Sequence, residues 1–423
     1  MRYIKRDLGS YKLHMIKTNK FKTVKIKISF RNKIIKDEIT IRNVLSDVLT
    51  YSSNKYKTRR DISIKTQDLY AATLQNYTTR IGNYFVSDFT LTVLNDKYTE
   101  VGNLCESIKF LKDIIYDANV ENDAFDEDTL SIIKSDTKTS LNSIKEDPVY
   151  YSLIRTYELM NKDMPSSYRM CGYLEDLDKI NSKNLYTYYK KMINKDLMDI
   201  FIVGDIDFKE IENIIKELFP LKTFKKLRAT HKIEPVKPRG RKLRVNEESD
   251  NSQSKLIMGC RIYKLNSYEY LYPLTLYNII LGGGADSKLF QEVREKNSLC
   301  YTISSVPNKL DHILLIRAGV DKNNVKKTVE LTETQMNLMR KGKFSDEDIK
   351  KAKEFYQTSL EEMLESQASI ISYYYMMDLL GLDDIKTRIK TMKKVEKSEI
   401  VKVAKKIKID TIFCLEGVKE WKR

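Results

Sequence analysis

Residues 281–301 read Leu281-Gly-Gly-Gly-Ala-Asp-Ser-Lys-Leu-Phe-Gln-Glu-Val-Arg-Glu-Lys-Asn-Ser-Leu-Cys-Tyr301. Gly282, Gly283 and Gly284 set three of the chain's 14 glycines side by side, a run that favours positive φ or the close approach of another backbone. The simplest local reading is the end of an apolar helix and the loop after it. A phosphate loop does not fit, because the run follows a helix rather than a strand and no Gly-Lys-Ser/Thr comes next. Asp286 can cap a short helix whose buried face is Leu289, Phe290 and Val293. Arg294 then stands near the end of that helix, and Tyr301 falls in the strand after it.

Outward from this stretch the elements recur in two copies. Before it, residues 255–263 read as a strand and 268–281 as an apolar helix. After it come strands at 299–306 and 313–320, long helices at 325–340 and 346–380, and a closing strand at 409–417. The first part of the chain has the same order. Val24-Lys-Ile-Lys-Ile-Ser-Phe30 alternates like a strand, residues 40–51 have helical apolar spacing, and a polar loop leads to strands at 69–74 and 84–93. Helices fill 99–191, Asp199-Ile-Phe-Ile-Val-Gly-Asp-Ile206 closes the copy as a buried strand, and 211–218 is a further helix. This predicts an α/β (α+β) fold of two similar domains, each a mainly antiparallel sheet flanked by long helices. Between the copies, residues 221–245 hold ten Lys or Arg, one acid (Glu234), Pro235, Pro238 and Gly240. Such a run reads as a solvated basic linker, so the expected domains are residues 1–220 and 246–423.

Composition narrows the function classes. The 423 residues are 41% hydrophobic and 10% aromatic, enough for ordinary cores and against disorder. No apolar run approaches the roughly 18 residues of a membrane span, and the first residues lack a signal-peptide pattern. Five scattered cysteines without a Cys-x-x-Cys pair exclude a disulfide scaffold and a thiolate metal site. A soluble, cytoplasmic protein is expected. The net charge of +16 favours acidic partners, but no nucleic-acid recognition motif accompanies it. His14, His231 and His312 are the only histidines, far apart and without an i+4 pair, so a local histidine metal site is not available.

The segment around Arg294 resembles the C-terminal half of the M16 (pitrilysin, insulinase-like) metallopeptidases. Leu289, Phe290, Gln291, Val293, Arg294, Glu295, Lys296, Leu299 and Tyr301 match the family pattern after a glycine-containing loop. The likeness runs over nearly the whole chain, including Gly172, Tyr189 and Val203-Gly-Asp-Ile-Asp207. It implies that Arg294 and Tyr301 hold a substrate backbone carbonyl near the scissile bond, with Gly282, Gly283 and Gly284 in the substrate-binding loop. A guanidinium and a phenol suit that task, since both donate toward a carbonyl oxygen on which charge develops.

The family's zinc motif, His-x-x-Glu-His, supplies two ligands and a general base. The corresponding helix here is Ile41-Arg-Asn-Val-Leu-Ser-Asp-Val-Leu-Thr-Tyr51, with Asn43, Ser46 and Asp47 at those positions. Asp126, Glu127 and Asp136 lie where the family's third ligand arises, and read as solvated helix charges. In two-chain M16 enzymes one subunit holds zinc while the other is degenerate. The resemblance therefore implies a non-catalytic, substrate-binding subunit of a heterodimeric M16B peptidase, with no cofactor of its own. Its partners would be a zinc-bearing M16 homologue and a peptide substrate, with neither membrane nor nucleic acid. The competing expectation is a zinc-free M16-like scaffold protein without a proteolytic role.

Overall fold

A computed structural model describes residues 1–220 and 230–418. These divide into two compact units, one drawn from Met1–Asn142, Arg169–His231 and Leu364–Met376, the other from Ser143–Tyr168, Lys232–Met363 and Met377–Arg423. Contiguous halves do not describe this division. The helix Pro148–Met160 explains part of the difference: Met160, Leu153 and Tyr157 pack with Ile257, Ile313 and Leu315 of the second unit. In the first unit, Gln367 donates from Nε2 to the carbonyls of Thr23 (2.8 Å) and Val203 (3.1 Å).

The first unit contains β1 (Arg2–Asp7), β2 (Lys12–Lys17), β3 (Thr23–Lys33), β4 (Thr73–Ile81), β5 (Tyr84–Leu94), a short hairpin of β6 (Val120–Glu121) and β7 (Ala124–Phe125), and β8 (Leu197–Gly204). The main sheet runs β1-β2-β8-β3-β5-β4. β3 is antiparallel to both neighbours, with Ile26 opposite Leu91 and Ile202, whereas β2 and β8 are parallel. Alternation in β3 sends Val24, Ile26, Ile28 and Phe30 into a core shared with Val44, Leu45 and Leu49 of the helix Ile39–Tyr51. Each fully buried aliphatic side chain there contributes roughly 1.5–3 kcal/mol.

Three expectations change here. The strand placed at 69–74 is β4 at Thr73–Ile81, and the polar loop before it is the helix Arg59–Asp68. A reciprocal cap starts that helix, with the Asp61 N–H donating to Thr58 Oγ1 (3.2 Å) and the Thr58 N–H to Asp61 Oδ2 (2.9 Å). The third is the linker. Its residues 221–229 lie outside the described residues, and its end is β9 (Leu243–Ser249).

The second unit continues with β10 (Ser254–Ile262), β11 (Cys300–Asn308), β12 (Ile313–Val320) and β13 (Ile407–Gly417), in the order β11-β12-β10-β13-β9. β10 is antiparallel to β12 and β13, and β9 is parallel to β13. This repeats β4-β5-β3-β8-β2 strand for strand, so the two copies expected from element order are present in topology. The helix expected at 346–380 is two, Asp346–Glu362 and Gln367–Leu380. No described helix is long and apolar enough to cross a membrane.

Candidate functional site

In the first unit the helix Ile39–Tyr51 buries Val44, Leu45, Val48 and Leu49. It is tied down by Arg42, which pairs with Asp196 (2.7 Å) and donates to Ser87 Oγ (2.8 Å) and the Phe30 carbonyl (2.9 Å). Helical periodicity then turns Asn43, Asp47 and Thr50 into a cleft of about 750 Å³. The outer strand β4 supplies Leu74, Asn76 and Thr78, and the helix Glu127–Asn142 supplies Asp136. Asn43 is engaged at both ends of its amide: Nδ2 donates to the Met170 carbonyl (2.8 Å), and Oδ1 accepts from Thr78 Oγ1 (2.7 Å). Asp47 Oδ1 accepts from Asn76 Nδ2 at 2.7 Å. Burial pushes the Asp47 carboxyl above its ordinary value; the Asn76 bond opposes this and the Asp136 charge adds to it. Ser46 is only 1% exposed and donates back to the Arg42 carbonyl at 3.0 Å.

Zinc bound as in His-x-x-Glu-His sites needs two imidazoles and further anionic ligands. The helix offers an engaged amide, a hydroxyl turned into the backbone and one carboxylate, so these residues do not fit the ion. The neighbouring acids separate in role. Asp126 accepts from the Thr129 N–H (2.8 Å) at a helix start, Glu127 accepts from Ser182 Oγ, and only Asp136 reaches the cleft. His14 is fully buried in β2 between Tyr3 OH (2.8 Å) and Asp199 (3.3 Å). His312 belongs to the second unit, where its Nε2 lies 2.7 Å from the Ile233 carbonyl. Sequence reading missed Asn76 and Thr78, whose shared face on β4 was the available signal.

In the second unit the Gly282–Gly284 run ends the helix Pro273–Gly282. None of the three glycines takes a positive φ. Close approach is the reason at Gly282, where an added Cβ would lie 2.6 Å from Ser305 Oγ and 2.7 Å from its nitrogen. The next segment makes one wide helical turn, Phe290–Glu295, in which the Lys296 N–H donates five residues back to the Gln291 carbonyl (3.0 Å). Leu289 and Val293 are fully buried and fix this turn. The Leu299 N–H donates to the Val293 carbonyl (3.1 Å) and the Ser298 N–H to that of Arg294 (2.9 Å), folding the chain back into β11.

Arg294 and Tyr301 flank this fold-back. The Arg294 guanidinium lies 4.5 Å from the centre of the Phe290 ring and 3.7 Å from Glu295, and stays partly exposed. Tyr301 is 55% exposed, with its hydroxyl 3.4 Å from Asp321. Pairing with β12 jumps between Cys300, opposite Val320, and Thr302, opposite Gly319, so Tyr301 is the extra residue of a bulge in an outer strand. Between them, burial pushes the Cys300 thiol up to about 11 while the Arg294 charge pulls it down. A guanidinium and a phenol each donate hydrogen bonds of the kind a carbonyl oxygen accepts.

A family described as "Peptidase M16 inactive domain" matches residues 179–356. A probable inactive metalloprotease of Bacillus subtilis, YmfF, is 27% identical over 420 residues, spanning 98% of this chain and 97% of its own. The crystal structure of a conserved protein from Enterococcus faecalis superposes with a TM-score of 0.89 at 27% identity, covering 99% of both chains. A Pseudomonas fluorescens structure described as a peptidase M16 inactive domain shares the fold, with a TM-score of 0.80 at 16% identity over 100% of this chain and 99% of that one. The chain is similar to the M16 peptidases, and both the matched domain and its Bacillus subtilis relative are described as inactive.

Proposed function

We propose that this protein is the substrate-binding subunit of a heterodimeric M16 peptidase, lending Arg294 and Tyr301 to a zinc-bearing partner. The observation that carries the reading is the pairing of two contrasting places. The helix at the family's zinc register holds Asn43, Ser46 and Asp47, while the Arg294–Tyr301 fold-back leaves Arg294 partly exposed and Tyr301 exposed on a buried support.

In the assembled enzyme the partner supplies zinc and its water. Arg294 and Tyr301 bind the peptide carbonyl, hold it toward the attack and stabilise the charge that gathers on its oxygen. The helix turn and the bulge hold both donors in place before substrate arrives, which lowers the cost of ordering them. The peptide binds extended, adding main-chain hydrogen bonds along an outer strand. Gly282, Gly283 and Gly284 serve as part of the substrate-binding loop. The complex acts on peptides in the cytoplasm.

The test is co-expression with a zinc-bearing M16 homologue of the same organism, followed by purification and elemental analysis. A one-to-one complex whose zinc resides in the partner is expected. Stoichiometric zinc in this chain alone, or full peptidase activity of the partner without it, would overturn the reading. A complex that forms but gains no activity would leave the scaffold role.

A further inference from the structure

The second unit carries a cavity of about 870 Å³ whose lining includes eight Lys or Arg side chains and one carboxylate, Glu333. Three of the cations are neutralised: Lys242 by Glu333 (2.7 Å), Arg239 by buried Asp410 (3.2 Å) and Lys406 by buried Glu269 (3.0 Å). Lys237, Lys264, Arg340, Lys405 and Lys408 have no carboxylate partner among the described residues.

Ordinary structural duties account for two of these five. Arg340 and Lys405 end the helices Val325–Arg340 and Lys397–Lys405, where a cation meets the partial negative charge of the carbonyl end. Arg340 also donates to the Ile407 carbonyl at 2.8 Å. Helix ends do not explain Lys237, which precedes β9, Lys264, in the turn after β10, or Lys408, within β13. Two helix ends bring together about one unit of negative charge, well short of five unpaired cations. Gathering those cations around one hollow costs energy unless a multivalent anion fills it.

The shape narrows the anion. A nucleic-acid strand needs an extended basic groove with several stacking rings, and the only aromatic residue in this lining is Tyr263. An acidic peptide rises roughly 3.3 Å per residue and points alternate side chains away, so few of its charges enter one hollow. Clustered phosphates bring more than one charge each into a small volume.

We infer that this cavity binds a compact anion bearing several phosphate groups. The test is calorimetric titration of the full chain with sodium tripolyphosphate, inositol hexakisphosphate and inorganic phosphate at about 50 mM salt, where screening is modest. Saturable one-to-one binding of at least one polyphosphate is expected, at least about tenfold tighter than phosphate. The tighter polyphosphate distinguishes a linear chain from a phosphorylated ring. Lys237→Gln/Lys405→Gln/Lys408→Gln, all exposed positions, should weaken it by about tenfold or more with an unchanged melting temperature. Lys264→Gln alone should weaken it about threefold. The control Lys109→Gln/Lys183→Gln/Lys190→Gln, exposed positions in the first unit, should bind as wild type. Equal loss in the control, non-saturable binding, or tighter binding of a hexaglutamate peptide or an octathymidylate would overturn the assignment.

Discussion

The two units repeat one strand order, yet they use the helix after the first central strand in opposite ways. In the first unit the helix Ile39–Tyr51 opens Asn43, Asp47 and Thr50 to a cleft against β4. In the second, the helix Pro273–Gly282 buries Leu274, Leu276, Tyr277, Ile280 and Leu281. There the accessible chemistry has moved one step along the chain, to Arg294 and Tyr301 at the start of the outer strand β11. The difference teaches that one packing pattern can recur in both units while the side chains facing solvent offer different chemistry.

The largest effect separates the chain alone from its complex. Purified by itself it should hold no stoichiometric zinc and give no peptide turnover, checked by elemental analysis and a quenched-peptide assay. A zinc-loaded, active single chain would erase the contrast between the units. Next is the buried end of the degenerate motif. Ser46→Glu forces a carboxylate into a site that is 1% exposed and should cost about 3 kcal/mol in denaturant unfolding. Asn43→His, at the open cleft, should cost about 1 kcal/mol through its two lost hydrogen bonds. Equal costs would break the distinction between cleft and core.

A smaller effect lies in the second unit. Burial would raise the Glu269 carboxyl, but the Asn266 N–H, Lys406 and Lys402 hold it at about 2, against 4.5 unperturbed. A depressed pKa gives stability that is present above about 4.5 and lost as pH falls toward 2. Glu269→Gln should therefore cost about 1–2 kcal/mol at pH 7, with the gap to wild type closing in acid. The smallest effect has the opposite sign. Asp47 is raised by burial, so its ionised form opposes folding at neutral pH and this penalty fades as pH falls through its folded pKa. Asp47→Asn should raise the melting temperature by about one degree at pH 7, an advantage that shrinks in acid.

The repeated order and the central strands were legible because β3, β8, β10 and β13 alternate or run apolar within short windows. β9 was not, since it pairs in parallel with residues some 170 positions away and its basic, half-exposed sequence looks like a linker. β4 was misplaced because its inward residues include Asn76 and Thr78, polar partners of the cleft rather than core. The alternation of units along the chain escaped for a similar reason, as the apolar face of Pro148–Met160 does not announce which sheet it covers. At the candidate site, i to i+4 spacing placed Asn43 and Asp47 on one face. The bulge that sets Tyr301 depends on pairing with β12 and leaves no local mark.

The most direct measurement is steady-state cleavage by the reconstituted complex carrying Tyr301→Phe or Arg294→Ala, with thermal melts of each variant in parallel. On the proposed reading both donors act on charge that develops during the reaction, so kcat should fall roughly a hundredfold, about 3 kcal/mol, with smaller changes in KM and unchanged melts. Wild-type turnover in both correctly folded variants would contradict the account.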